Sequence, residues 1–332
     1  MIPTANRRVK TIVSLFTLGI FFFSCTANEK INEPDKVTVG LRWHHSVQFA
    51  GLYVAQKKGM YKSEGIKVVF EERTQGIDQL EQLARGAYDF TISGSDKIIL
   101  ARSRGLPVSA IATIFQKNPL VFMTKKGSGI TRPYQFEGKT VQTSVPNYIL
   151  TAMLTRAGIT VDQVTLIPQK YNLKAFQTGT AEIKSGYLTD QVIAARKKGY
   201  EINIIYPDDY GIHLYGDCIA TTQSMIDENP ELVERFIRAT LKGWTYAVEN
   251  PEEAVELSLG YNEKLDPAHE KDSMMAQIPL IHTGLGGIGS MEEKVWQETV
   301  EMLKAQGLLY GPVDVDSVYN GVFIKSFYGK QS

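Results

Sequence analysis

Residues 36–70, KVTVGLRWHHSVQFAGLYVAQKKGMYKSEGIKVVF, decide the fold. Val37, Val39 and Leu41 fall at every second position, the period of a strand with one buried face. Val47, Ala50, Gly51, Val54 and Ala55 then recur at helical spacing, with Ser46 placed to cap the start and Gly59 the end. IKVVFEE returns to a strand pattern. Strand, helix and strand in this order open an α/β sheet. Between the first strand and the helix stand Trp43, His44, His45, Gln48 and Phe49, either a metal or catalytic site or the wall of a binding pocket.

Outward from this stretch the alternation continues. IDQLEQLARGAYDF reads as a helix closing on Gly86, DFTIS as a strand, SGSDKIILARSRG as a helix and VSAIATIF as a strand. Strand and helix alternate throughout, which predicts a parallel sheet. The Gly- and Lys-rich stretch TKKGSGITRPYQFEGKT, beginning at Thr124, marks the passage into a second lobe that repeats the pattern through EINIIYP. After Asp217, DCIATTQSMI reads as a strand returning to the first lobe, and the chain from Asn229 to about Gln306 is mostly helical. The expected plan is a signal peptide at 1–24, a linker at 25–36, a first lobe of 37–123 plus 217–332, and a second lobe of 124–216. Two lobes joined by two crossings form a hinge that closes on a ligand.

At the N-terminus, Arg7, Arg8 and Lys10 precede an apolar run from Thr11 to Ser24, too short to span a bilayer comfortably. This is the pattern of an export signal. Ser24 directly before Cys25, followed by polar residues, predicts a lipoprotein whose acylated Cys25 anchors it to the membrane in the periplasm or at the cell surface; Phe22 stands where such signals usually carry Leu, and an ordinary cleaved signal with an incidental Cys25 is the alternative. No later apolar run reaches spanning length. Lysine plus arginine total 36 and aspartate plus glutamate 36, with no basic cluster interleaved with aromatics, so nucleic acid is not an expected partner. The cysteines are Cys25 and Cys218. With Cys25 lipidated no internal disulfide is possible, and Cys218 reads as a small buried side chain.

The histidines do not make a metal site by their spacing. Adjacent residues in an extended chain face opposite ways, and His213, His269 and His282 lack close ligand spacings. GSGI lacks the strand-nucleophile-helix elbow of hydrolases, and HTGLGGIG at 282–289 lacks the Lys-Ser/Thr of a phosphate loop. No catalytic residue, metal or cofactor is expected. Ligands of open α/β sheets lie beyond the carboxyl ends of the strands. RWHHSVQF, SGSDK, TSVPNY and GYLTD occupy such places and bring Trp43, His44, His45, Gln48, Phe49, Ser93, Ser95, Asp96, Ser144, Tyr148, Tyr187 and Asp190 to the expected cleft. Aromatic walls with a few amides, hydroxyls and carboxylates suit a flat, uncharged or mildly cationic heterocycle. The plainer alternatives are that Trp43 and Phe49 are core aromatics, that Ser93 or Ser95 caps a helix, and that Asp96 serves a helix dipole.

LRWHHSVQFAGLYVAQKKGMYKSEGIKVVF carries a Trp followed by G-x-Y-x-A-x-x-x-G-x-Y-x-x-E-G. With LARGAYDFTIS, ARSRGLPVSAIATI, KKGSGI and NPELVERFIRATLKGWTYAVENPEEAV, it resembles the thiamine-pyrimidine-precursor and sulfonate family of solute-binding proteins of ABC importers. The resemblance covers most of 37–258. It implies a two-lobed type II periplasmic-binding fold with a two-crossing hinge, capture of a small molecule, and delivery by a monomer to an ABC permease in the cytoplasmic membrane. The ligand it implies first is a thiamine pyrimidine precursor, an aminopyrimidine or formylaminopyrimidine. Riboflavin, an aliphatic sulfonate, or a sensor role are the alternatives. Enzymes of the same superfamily that build the pyrimidine use a lysine and a histidine after the strand matching DFTIS and a cysteine-rich iron motif. Ser93 and Lys97 stand at the first place here, and Cys218 alone at the second, so the resemblance does not carry that chemistry over.

Overall fold

The computed structural model describes residues 1–3, 33–144, 147–284 and 286–329. The expected signal peptide and Cys25 lie outside them. From Pro34 onward the chain forms two five-stranded sheets flanked by helices. In chain order the strands are β1 (Asp35–Gly40), β2 (Ile66–Glu71), β3 (Phe90–Ser93), β4 (Val108–Thr113), β5 (Leu120–Lys125), β6 (Thr140–Thr143), β7 (Thr165–Pro168), β8 (Ile183–Tyr187), β9 (Ile202–Ile205) and β10 (Cys218–Thr222). The first sheet has the order β2-β1-β3-β10-β4 and the second β7-β6-β8-β5-β9. β1 begins inside the stretch read as linker.

Two expectations are corrected. The sheets are not wholly parallel: β10 runs antiparallel to β3 and β4, and β5 antiparallel to β8 and β9. The first crossing also comes earlier than the Gly- and Lys-rich stretch, because β5 already belongs to the second sheet and the passage is residues 114–119. Both have one cause. β4 ends at the cleft, so a short direct crossing enters the second sheet from its cleft end, and β5 must run away from the cleft, against β6 and β8. β9 runs back toward the cleft, and β10 enters the first sheet in the same reversed sense. Parallel pairing would demand a long crossover that a six-residue passage cannot supply.

The two crossings lie side by side. Ile114 and Phe115 donate their amides to the Asp217 carbonyl at 2.7 and 3.2 Å, and Gly216 donates to the Phe115 carbonyl at 2.8 Å. Lys117 pairs with Asp208 at 3.1 Å.

The first core joins β1–β3 to the helix Ala50–Lys57 and the long helix Pro230–Glu249. Ser46 accepts from Gln48 N at 3.4 Å and starts the turn Val47–Phe49 that leads into the first of these helices. Gly51 and Gly243 let the two helices approach. A Cβ at Gly51 would run into the Trp244 ring, and one at Gly243 into the Gly51 carbonyl and Ala55. This contact holds the histidine-bearing segment against the core and so sets one side of the cleft. Among the described residues no helix is long and apolar enough to cross a membrane.

Candidate functional site

Where the cleft ends of the strands face each other lies a cleft of about 1060 Å³. Its floor is formed by residues around the crossings. Arg42, two residues past β1, donates through Nη1 to Asp217 Oδ1 at 2.8 Å and to the Gly216 carbonyl at 2.7 Å, and its Nη2 stands 3.5 Å from the Tyr187 hydroxyl of the opposite lobe. Gln48 Nε2 donates to the other Asp217 oxygen at 2.8 Å. Asp217 is 2 % exposed. Burial alone would lower the Arg42 guanidinium, but Tyr187, Asp217 and Asp96 outweigh it and hold it above its ordinary value. Burial pushes the Asp217 carboxyl up, against the opposing pull of Arg42 and Gln48. Arg42 is therefore a fixed cation whose charge is met within the protein.

The histidine segment bends after Gly40 and does not run as a strand, so the expected two-way alternation does not apply and both His44 and His45 line the cleft. His44 is exposed and lies 3.4 Å from Glu72. The His45 amide donates to Glu72 at 2.6 Å, and its Nδ1 shares a hydrogen bond of 2.7 Å with the Tyr53 hydroxyl. Burial lowers the His45 pKa, outweighing the Glu72 charge. Trp43 lines the cleft from the first lobe and meets Tyr171 of the second, with ring centroids 5.0 Å apart and planes inclined at 58°. Arg73 stands over the Trp43 ring at 5.4 Å.

Ten of the twelve expected ligand residues line this cleft: Trp43, His44, His45, Gln48, Ser93, Asp96, Ser144, Tyr148, Tyr187 and Asp190. Phe49 and Ser95 do not. Phe49 is 1 % exposed within the first core, because the turn Val47–Phe49 swings it away from Gln48. Ser95 is fully buried, with its Oγ bonded to the Tyr215 backbone at 3.2 and 3.3 Å. Tyr148 donates its hydroxyl to Asp96 across the lobes, and burial and that carboxylate raise its pKa. Asp190 is tied across the cleft to His269, 3.3 Å from its Nε2.

Sequence reasoning passed over Arg42, Gln169, Tyr171, Asp217, His269 and Glu270, all but Asp217 cleft-lining residues. Arg42 stood inside the opening stretch, and its partner is 175 residues away, a separation that no local pattern reports. Glu270 is 5 % exposed and accepts the Val47 amide at 2.6 Å, and burial raises its pKa. Cys218 is fully buried, with its thiol pushed up to about 12 by that burial. Among the described residues no group of three or more histidines, cysteines or carboxylates could hold a metal ion.

Rings, amides and paired charges of this kind suit a planar polar molecule; the cations and carboxylates around Arg42 and Asp96 are largely matched to each other. A family model described as NMT1/THI5 like matches residues 46–254. The chain is 29% identical over 306 residues to the riboflavin-binding protein RibY of Chloroflexus aurantiacus, covering 87% of this chain and 86% of the relative. It is 27% identical over 325 residues to the formylaminopyrimidine-binding protein of Halalkalibacterium halodurans, covering 94% and 98%. Among solved structures it is similar to the periplasmic aliphatic sulphonate binding protein SsuA from Escherichia coli, with a TM-score of 0.71 and 16% identity over 87% of this chain and 93% of the other. The fold is the two-lobed periplasmic-binding α/β fold.

Proposed function

Because the chain belongs to the NMT1/THI5-like family, we propose that it is the substrate-binding protein of an ABC importer and captures an aromatic nitrogen heterocycle, first a thiamine pyrimidine precursor, between its two lobes. The observation that carries this reading is the pairing of Trp43 and Tyr171 from opposite lobes in a cleft whose floor residues Arg42 and Gln48 are both bonded to the buried Asp217. Rings supply stacking surface, and amides, hydroxyls and carboxylates pair with ring nitrogens and amino groups. Capture is an equilibrium: the ligand favours the closed arrangement, and the closed form docks on the permease. Cys25, acylated, tethers the monomer outside the cytoplasm. Incorporation of labelled palmitate, lost in Cys25→Ala, tests the tether.

Riboflavin is the second reading, favoured by the size of the cleft. About 1060 Å³ stands at the upper end for drug-sized ligands and exceeds what one pyrimidine ring fills. An aliphatic sulfonate ranks below both, since the cleft-lining cation Arg42 is already paired with Asp217. A thermal-shift series with the mature body decides between them, using the aminopyrimidine, formylaminopyrimidine, riboflavin and taurine. A ligand at one hundred times its Kd adds about 2.7 kcal/mol of stability. The expected result is a clear rise with a pyrimidine or with riboflavin and none with taurine; a rise with taurine alone would overturn the heterocycle reading.

A further inference from the structure

Lys184 lies on β8 opposite Gln142 of β6, and its side chain is fully buried. Its ammonium donates to Gln142 Oε1 at 3.1 Å, to Gln169 Oε1 at 3.1 Å and to the Lys170 carbonyl at 2.7 Å. Three protons meet three neutral oxygens, and among the described residues no carboxylate stands within ion-pair distance. A buried charge without a counter-charge is costly, and folds keep one where its hydrogen bonds hold something in place.

What these bonds hold is the segment leaving β7. Two of the three acceptors belong to residues 169 and 170, and Gln169 also donates through Nε2 to the Ser185 carbonyl at 3.1 Å. The next residue is Tyr171, which is 62% exposed and whose ring meets Trp43 across the cleft. So exposed a ring is placed by its backbone more than by packing in its own lobe.

We propose that Lys184 is a positioning residue of the ligand cleft: its ammonium pins the Gln169–Tyr171 segment to β8 and thereby sets where the Tyr171 ring stands opposite Trp43. Burial lowers the Lys184 amine to about 8. The groups facing it, two amide oxygens and a backbone carbonyl, do not titrate, so the anchor loses one of its three donated bonds as pH rises through that value. The inference takes its meaning from the proposed ligand cleft, but its test needs no ligand.

Trp244 and Trp296 are buried at 2% and 0% exposure, so quenching of tryptophan emission by iodide reports chiefly on Trp43. In the ligand-free protein, Tyr171→Ala should raise the quenching constant, Lys184→Met should raise it similarly, and the double variant should go no further, the non-additivity of residues that act through one another. Wild-type quenching should increase as pH rises through about 8, and Lys184→Met should be flat there. Wild-type quenching in Lys184→Met, or a full additional effect on top of Tyr171→Ala, would overturn the proposal. Should Lys184→Met fail to fold, Gln169→Leu, on the half-buried wall, cuts the same anchor from the other end and must show the same non-additivity with Tyr171→Ala. Riboflavin and formylaminopyrimidine are titrated into the same proteins. Failure of even the wild type to bind them strikes at the heterocycle reading, whereas the quenching cycle alone judges the anchor.

Discussion

The floor and the far wall of the cleft each hold one cation, Arg42 half-buried and Lys184 fully buried, and they treat it in opposite ways. Arg42 is met by the Asp217 carboxylate at 2.8 Å and stays charged at any pH the fold survives. Lys184 is met by three neutral oxygens, and burial leaves its amine near 8. The floor sits where the two crossings bond to each other, the part that keeps its shape under the proposed opening and closing of the lobes. The wall carries an exposed ring on a short segment. Matched charge fixes the region common to both states, and an adjustable anchor suffices for the one that meets the ligand.

The largest expected effect breaks the floor. Arg42→Met leaves the Asp217 carboxylate buried without its cation, a loss of about 3–5 kcal/mol, read as a fall in the urea midpoint. Next comes the support beneath the floor: Gly243→Ala drives a Cβ into the Gly51 carbonyl, and overpacking of this kind costs about 1–3 kcal/mol. That variant should lower the melting temperature, read by thermal denaturation.

Lys184→Met sharpens the contrast, with a smaller loss than Arg42→Met because no opposite charge is orphaned. Its signature is in the pH profile. The folded amine sits near 8 and its ordinary value is 10.5, so between these values the unfolded chain binds the proton more tightly and wild-type stability climbs as pH rises. Urea midpoints measured across that window should climb in wild type and lack this component in Lys184→Met.

The smallest effect belongs to a pair joining the two sides. Asp190 raises the His269 pKa above 6.5, against burial. Its stabilisation is full below 6.5 and fades as pH rises through the raised folded value. Asp190 is about half exposed, so the pair is worth under about 1 kcal/mol and weakens with salt. His269→Gln should remove a shallow, salt-sensitive decline of stability above pH 6.5.

The alternation of strand and helix, the return of the chain near Asp217 and most of the cleft segments were legible because they are local: a period of two, a period near four, a cap. The reversed strands β5 and β10 were not, since direction depends on which end of a sheet a crossing enters. Phe49 was misplaced because one turn of 3₁₀ helix puts neighbours Gln48 and Phe49 on opposite sides. Arg42 with Asp217, and Lys184 with the segment after β7, are pairings across long stretches of chain, where residue type gives no hint of partner. Lys184 in particular sits in AEIKSGYL as an ordinary strand lysine until its burial is seen.

The most direct test of the central claim is calorimetric titration of the mature body with formylaminopyrimidine and with riboflavin, in wild type and in the Trp43→Ala variant. Saturable one-to-one binding of at least one of them, clearly weakened in Trp43→Ala, is the predicted result. Absence of binding to both in a folded wild type, or binding indifferent to Trp43, would contradict a heterocycle held between the two lobes.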